Sequence, residues 1–183
     1  ALHCATACFA NSAKFIELVG AQFKTHEAQT FRTEVGDAHP LIAGYGGFSS
    51  WDETYVHHRH NDDRSVVEYR VQGIQAEGRQ REPWSWVRQH GQGRVFYTAW
   101  GHDQRTWRHP GFQNLVERGI RWACGSDLDG VERFPTREAF VLPPATAQRN
   151  DCQPFEYIEV GAKIPNYQPG SITSLTTMQQ PLS

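Results

Sequence analysis

Gly93-Arg-Val-Phe-Tyr-Thr-Ala-Trp-Gly-His102-Asp103-Gln-Arg-Thr-Trp107 joins three structural signals in one short run. Val95 to Trp100 is β-branched and aromatic and reads as a buried strand. Gly101 frees the backbone to turn, and the next two residues are an imidazole and a carboxylate. Pro110 then opens a helical pattern. A strand that delivers His102 and Asp103 at its carboxyl end, just before a helix, has the geometry at which open α/β sheets place ligands. The same spacing fits a His and an Asp that only cap the loop, and spacing alone leaves both readings open.

Working outward, Trp84 to Gln89 pairs with Arg94 to Trp100 across His90-Gly91-Gln92-Gly93, a hairpin-like connection. Pro110 to Cys124 predicts a helix with Phe112, Leu115, Val116, Ile120 and Ala123 on one face and Gly125 closing it. Strands are predicted at Thr30 to Val35, Thr54 to His58 and Ser65 to Val71, and an amphipathic helix over Phe9 to Phe23. Gln72 to Glu82 is polar with two glycines and reads as a loop, as does the glycine-rich run from His39-Pro40 to Gly47.

The charge balance, a formal net of −2, leaves no basic footprint, so nucleic acid is excluded as an expected partner. No apolar run approaches the ~20 residues needed to span a bilayer. The 38% hydrophobic content, with six Trp, ten Phe and six Tyr, is ample for a core. Beyond Gly125 the character changes. Residues 134–183 carry Pro135, Pro143-Pro144, Pro154, Pro165, Pro169 and Pro181 without helical period and read as a linker, with one edge strand possible at Phe155 to Gly161. Cys4 and Cys8 are spaced one helical turn apart, poor geometry for a disulfide, and no CxxC pair exists to support a redox or cluster role.

Gly93 to Ala123, with its run Gln-Asn-Leu-Val-Glu-Arg-Gly-Ile-Arg-Trp-Ala, resembles the end of a ThuA-like (trehalose-utilisation) domain. Leu2-His3-Cys4-Ala5, Val19-Gly20-Ala21-Gln22-Phe23 with His26, His39-Pro40-Leu41-Ile42 and Asp52-Glu53-Thr54-Tyr55 match in the family's order. The resemblance implies an α/β, flavodoxin-like (class I glutamine amidotransferase-like) fold, a mostly parallel sheet with flanking helices whose N-terminal part precedes residue 1. It gives a ThuA-like domain over residues 1–125 and a Pro-rich extension over 126–183. Met178-Gln-Gln-Pro-Leu-Ser resembles the linker found before a sugar-dehydrogenase-like β-propeller and a c-type cytochrome, which implies covalently linked domains and an exported, periplasmic setting.

By the same resemblance His3 falls at the strand-to-helix elbow where class I amidotransferases keep their cysteine nucleophile. Cys4 comes one place later with its thiol turned away, so amidotransferase chemistry is not expected. His102 occupies the place of the catalytic histidine, and Asp103 trails where a carboxylate partner would sit. Adjacent residues of an extended segment point to opposite sides, so only one of Asp52 and Glu53 can face the site, and the resemblance favours Glu53. Asp52 is then either a partner or a solvated acidic turn. The catalytic set is His102, Glu53 and His3. Trp100, Trp107, Tyr55 and Asp103 are the expected substrate contacts, with a sugar stacking on an indole. His3, His26, Glu53 and His102 form an expected divalent-metal set suited to zinc, iron or manganese. His57-His58-Arg59-His60-Asn-Asp62-Asp63 matches no standard zinc signature and reads as a polar loop beside the site.

Two functions of different class follow. One is an enzyme acting on a sugar or keto-sugar (an isomerase, lyase or hydrolase) in which His102 and Glu53 move protons and His3 binds developing charge or a metal. The other is a non-catalytic sugar-binding or scaffolding module attached to a dehydrogenase.

Overall fold

The computed structural model describes residues 1–75 and 78–135. In chain order these form a 3₁₀ turn (His3–Thr6), α1 (Ala13–Val19), β1 (Gln22–Thr25), β2 (Ala28–Val35), a second 3₁₀ turn (Pro40–Ile42), β3 (Ser49–Glu53), β4 (Val56–His58), β5 (Ser65–Gln75), β6 (Gly78–His90), β7 (Gly93–Thr98), α2 (Gln104–Arg108) and α3 (Pro110–Cys124). The Phe155 strand and most of the 126–183 extension lie outside the described residues.

The sheet corrects the expected fold class. Five strands run in the order β3-β2-β5-β6-β7, with β1 and β4 in a separate pair, and every ladder between these strands is antiparallel. Parallel contact among the described residues is confined to the isolated bridges Leu2–Thr98 and Tyr45–Phe134. The fold is therefore not the mostly parallel, flavodoxin-like and glutamine amidotransferase-like sheet that the resemblance implies. Connection length supplies the physical reason. β6 joins β7 across Gly91-Gln92, and β5 joins β6 just as directly, whereas parallel neighbours need a crossover of about a dozen residues or more. Gly91 supplies the positive φ of 58° for the tight reversal. The described residues of the stretch read as a polar loop, Gln72 to Glu82, instead belong to β5 and β6, with Arg70 opposite Glu82, Val71 opposite Arg81 and Gln72 opposite Gln80.

The interior is aromatic. Trp84, Trp86, Tyr97, Trp100, Phe112, Leu41 and Leu115 are fully buried. α3 packs on β7 so closely that a Cβ added at Gly119 would stand 2.2 Å from the Phe96 ring. The N-terminal helix is shorter than predicted: Ser12 caps it by accepting the Phe15 N–H, and Gly20 ends it at φ 103°. Trp86 and Arg88 donate to the carbonyls of Val19 and Leu18, fastening the open end of α1 to the sheet. No helix among the described residues is long and apolar enough to cross a membrane.

Two His-Pro steps start helical segments in the same way. His39 Nδ1 accepts the Leu41 N–H (3.1 Å), and His109 Nδ1 accepts the Gly111 N–H (2.9 Å). Each imidazole must stay neutral to accept. Burial holds the His109 pKa down to about 4 and lowers that of His39. Between pH 6.5 and about 4 the unfolded chain therefore binds the His109 proton and the folded one does not, so stability falls as pH drops through that window. Asn is an equally good cap without this titration. His109→Asn is expected to flatten the acid side of a urea-midpoint-against-pH curve; an unchanged slope would remove His109 from the acid response.

Candidate functional site

The site forms where four chain segments end together: Leu2-His3, the end of β1, the end of β3, and the loop after β7. His3 turns sharply out of an extended Leu2 at φ 42°. Its Nδ1 lies 2.8 Å from the Ala99 carbonyl, an acceptor only, so Nδ1 carries the proton and Nε2 is left as a base or ligand. That Nε2 lies 3.2 Å from Glu53 Oε2, and His102 Nδ1 lies 3.3 Å from Glu53 Oε1. His26 Nδ1 approaches the same Oε1 at 3.6 Å but also meets the Glu27 carbonyl at 3.3 Å, so it stands beside the trio. The nitrogens of His3 and His102 and the Glu53 carboxylate all lie within 4.8 Å of one another. Among the described residues this is the group with metal-ligand geometry. Exposure grades outward: the His3 side chain is 9% exposed, Glu53 13% and His102 51%.

The donor set fits a divalent cation. Donors about 2.0–2.1 Å from a zinc ion at tetrahedral corners are roughly 3.3–3.4 Å apart, and the Glu53–His separations of 3.2 and 3.3 Å, one to each carboxylate oxygen, lie close to that spacing. A His whose other nitrogen is fixed by a carbonyl is the usual outer support of a metal ligand. A shared proton can occupy the same place, since a bare Nε2 facing a carboxylate is repulsive.

Asp52 is the part that sequence reasoning left undecided. It is fully buried, and its Oδ2 accepts the Gly101 N–H (3.0 Å) while Oδ1 accepts the N–H groups of His102 (3.1 Å) and Glu53 (2.8 Å). Burial raises its pKa, and these N–H donors oppose that rise. Asp52 thus holds the loop that presents His102, and Glu53, on the opposite side of the strand, reaches into the pocket. The alternation was legible; that the inward member would meet a loop from a distant strand was not.

The other expected residues divide. The Tyr55 ring is 4.3 Å from that of His3 and lines the pocket, its phenol pKa pushed well up by burial and then by the Glu53 charge. Trp107 is half exposed beside the site, its Nε1–H donating to the Gly101 carbonyl (2.7 Å). Trp100 is fully buried, stacked on Phe31 and Phe48, and presents no face to a ligand. Asp103 caps α2 through the Arg105 N–H (2.8 Å) and pairs with the Arg105 guanidinium (2.6 Å) instead of partnering His102. Burial alone would raise the Asp103 pKa, but Arg105 outweighs it and holds the carboxyl below its usual value. In the histidine-rich segment His57 is buried against Glu82, His58 is exposed, and His60 meets Arg64; none joins the trio.

The ThuA family model, described as trehalose utilisation, matches residues 1–123. The chain belongs to the ThuA family. Among solved structures it is similar to a ThuA-like protein from Parabacteroides merdae, at 20% identity with a TM-score of 0.63. That match covers 75% of this ThuA chain and 64% of the other, and at this identity it speaks to the fold alone. A search of the curated proteins finds no match.

Asp52→Ala would leave two N–H groups of the His102 loop without their acceptor, each costing about 1–3 kcal/mol where water cannot replace it. Stability is expected to fall by about 2 kcal/mol, with amide exchange at Gly101 and His102 accelerated beyond that of β7. Uniform acceleration along β7 would show that Asp52 does not hold the loop.

Proposed function

We propose that this ThuA domain acts on a carbohydrate, a sugar or keto-sugar, at the His3–Glu53–His102 pocket, with a divalent cation held by those three side chains and His26 beside them. The observation that carries the reading is the approach of two imidazole nitrogens to the two oxygens of one carboxylate at 3.2 and 3.3 Å. Family membership, described as trehalose utilisation, supports the substrate class. Zinc, iron or manganese suits two imidazoles and a carboxylate, and when bound supplies a Lewis acid for a sugar carbonyl or hydroxyl oxygen.

The chain's own residues account for the rest. His102, half exposed at the mouth, exchanges protons between ligand and solvent. Glu53, screened from water, lies on the Nδ1 side of the His102 ring, so a cation or a shared proton between them would fix the ring there and leave Nε2 facing the ligand. His3 and Tyr55 form the floor, and the half-exposed indole of Trp107 offers a sugar ring an apolar face.

Purified protein is expected to carry near-stoichiometric zinc, iron or manganese by plasma mass spectrometry, and the His3→Ala/His102→Ala variant to lose it with its circular dichroism unchanged. Metal retained by the variant, or absent from both, would remove the cation from this pocket. His102→Ala alone is expected to lower sugar conversion by roughly 10²–10⁴-fold while sugar affinity stays within a few-fold. Unchanged conversion would overturn the acid–base role. Sugar binding without any conversion by the wild type would instead establish a non-catalytic binding module.

A further inference from the structure

Behind the pocket lies a second, fully enclosed set of polar side chains that touches no ligand position. The Tyr97 hydroxyl donates to the main-chain carbonyl of His3 (2.9 Å). That carbonyl can only accept, so the single phenolic proton is committed to it. His57 Nε2, 3.1 Å from the same hydroxyl, must therefore be the donor to Tyr97, and the Thr6 hydroxyl lies 3.0 Å away on another side. His57 is fixed in turn by Glu82, whose Oε1 accepts the His57 backbone N–H (2.9 Å) and lies 3.0 Å from Nδ1. The donations then run from His57 to Tyr97 and from Tyr97 to His3, while the Glu82 carboxylate accepts the His57 main-chain N–H and fixes the segment that carries the ring.

The other end of His3 is held by the same strand. Its ring Nδ1–H meets the Ala99 carbonyl, two residues beyond Tyr97. β7 and the residue that follows it thus hold His3 at both its main chain, through the Tyr97 hydroxyl, and its ring, through the Ala99 carbonyl. This matters because His3 sits at φ 42°, a backbone state that a non-glycine residue keeps only when its surroundings impose it. A relaxed backbone there would swing Nε2 away from Glu53.

We propose that Tyr97, backed by His57 and Glu82, is the positioning residue for His3, and that the hydroxyl of Tyr97 sets how tightly the pocket holds a divalent cation. The inference rests on the pocket assigned above. Tyr97→Phe removes one oxygen and keeps the ring that packs 4.2 Å from Trp86, so the aromatic packing of the core is retained. Thr33→Val serves as the matched control: it deletes another buried hydroxyl of the sheet, one bonded to Glu68 and with no hydrogen bond to His3, Tyr97 or His57 among the described residues.

Cobalt(II) titrated into metal-stripped protein reports both affinity and ligand geometry by visible absorption. Tyr97→Phe is expected to weaken cobalt binding about 10–100-fold with an altered spectrum, and Thr33→Val to leave both unchanged. Wild-type affinity and spectrum in Tyr97→Phe would overturn the proposal, as would an equal loss in Thr33→Val. If the wild type binds no cobalt, the cation reading fails separately. Positioning is then judged from the imidazole Nδ1–H resonance of His3, expected to exchange at least about tenfold faster in Tyr97→Phe. An unchanged exchange rate would overturn it.

Discussion

The buried carboxylate of Asp52 is the contact on which the arrangement of this domain turns. It stands near the end of β3, one edge of the five-stranded sheet, yet it accepts N–H groups from the loop that follows β7, the opposite edge. Edge strands separated by three others meet only if the sheet curls, and right-handed twist accumulated over five strands supplies the curl. Leaving this carboxylate dry and unpaired would cost several kcal/mol, so a flatter sheet is penalised at that one point. Thr106 reinforces the closure: its hydroxyl lies 2.9 Å from the Ser50 hydroxyl and 3.3 Å from the Trp51 carbonyl, bringing the first turn of α2 against β3.

Once the edges meet, the pocket follows from strand alternation. Asp52 faces inward to fasten the loop, so Glu53 faces the opening. Residues past the end of β7 supply His102, and the bridge between Leu2 and Thr98 sets His3 alongside. The two networks have different tasks: the Asp52 bonds fix the main chain of His102, and the Tyr97 bonds fix the main chain of His3. Glu53 lies between two imidazoles that are each anchored through their backbones. Under the proposed function such a site would need little rearrangement to take a cation or a proton, because both imidazoles are anchored beforehand.

Local signals were legible and long-range ones were not. The hairpin read across His90 to Gly93 and the helix read from Pro110 to Cys124 depend on residues close in sequence, and both are present, the hairpin with its reversal tightened to Gly91-Gln92. The hairpin itself argued against a parallel sheet, because two strands joined by two residues have to run in opposite directions. The resemblance implies a parallel sheet, and the short connections of this chain overrule it. Gln72 to Glu82 read as a loop because polar residues and glycines dominate it, whereas pairing with a neighbouring strand outweighs weak local propensity. Asp52 and Tyr97 were beyond reach for another reason. Their partners lie 49 and 94 positions away, and nothing in a single sequence marks which carbonyl or N–H a buried polar group will meet.

The tryptophans show how burial redistributes apparent function. A strand that ends in Trp100-Gly101-His102 invites the reading that the indole before the turn and the imidazole after it share a ligand. Alternation decides otherwise. Trp100 points into the core, packed between Phe31, Phe48 and Trp84, and its contribution is apolar burial that holds β7 in place. Trp107, seven residues further on and within α2, keeps one face in water and ties its Nε1–H to the carbonyl of Gly101. That bond fixes the indole against the same loop that Asp52 fastens from beneath. A sugar entering over His102 would therefore meet a polar floor of His3, Glu53 and Tyr55 and an aromatic edge at Trp107. The edge and the floor are both built from main chain that the buried carboxylate of Asp52 or the buried hydroxyl of Tyr97 holds still.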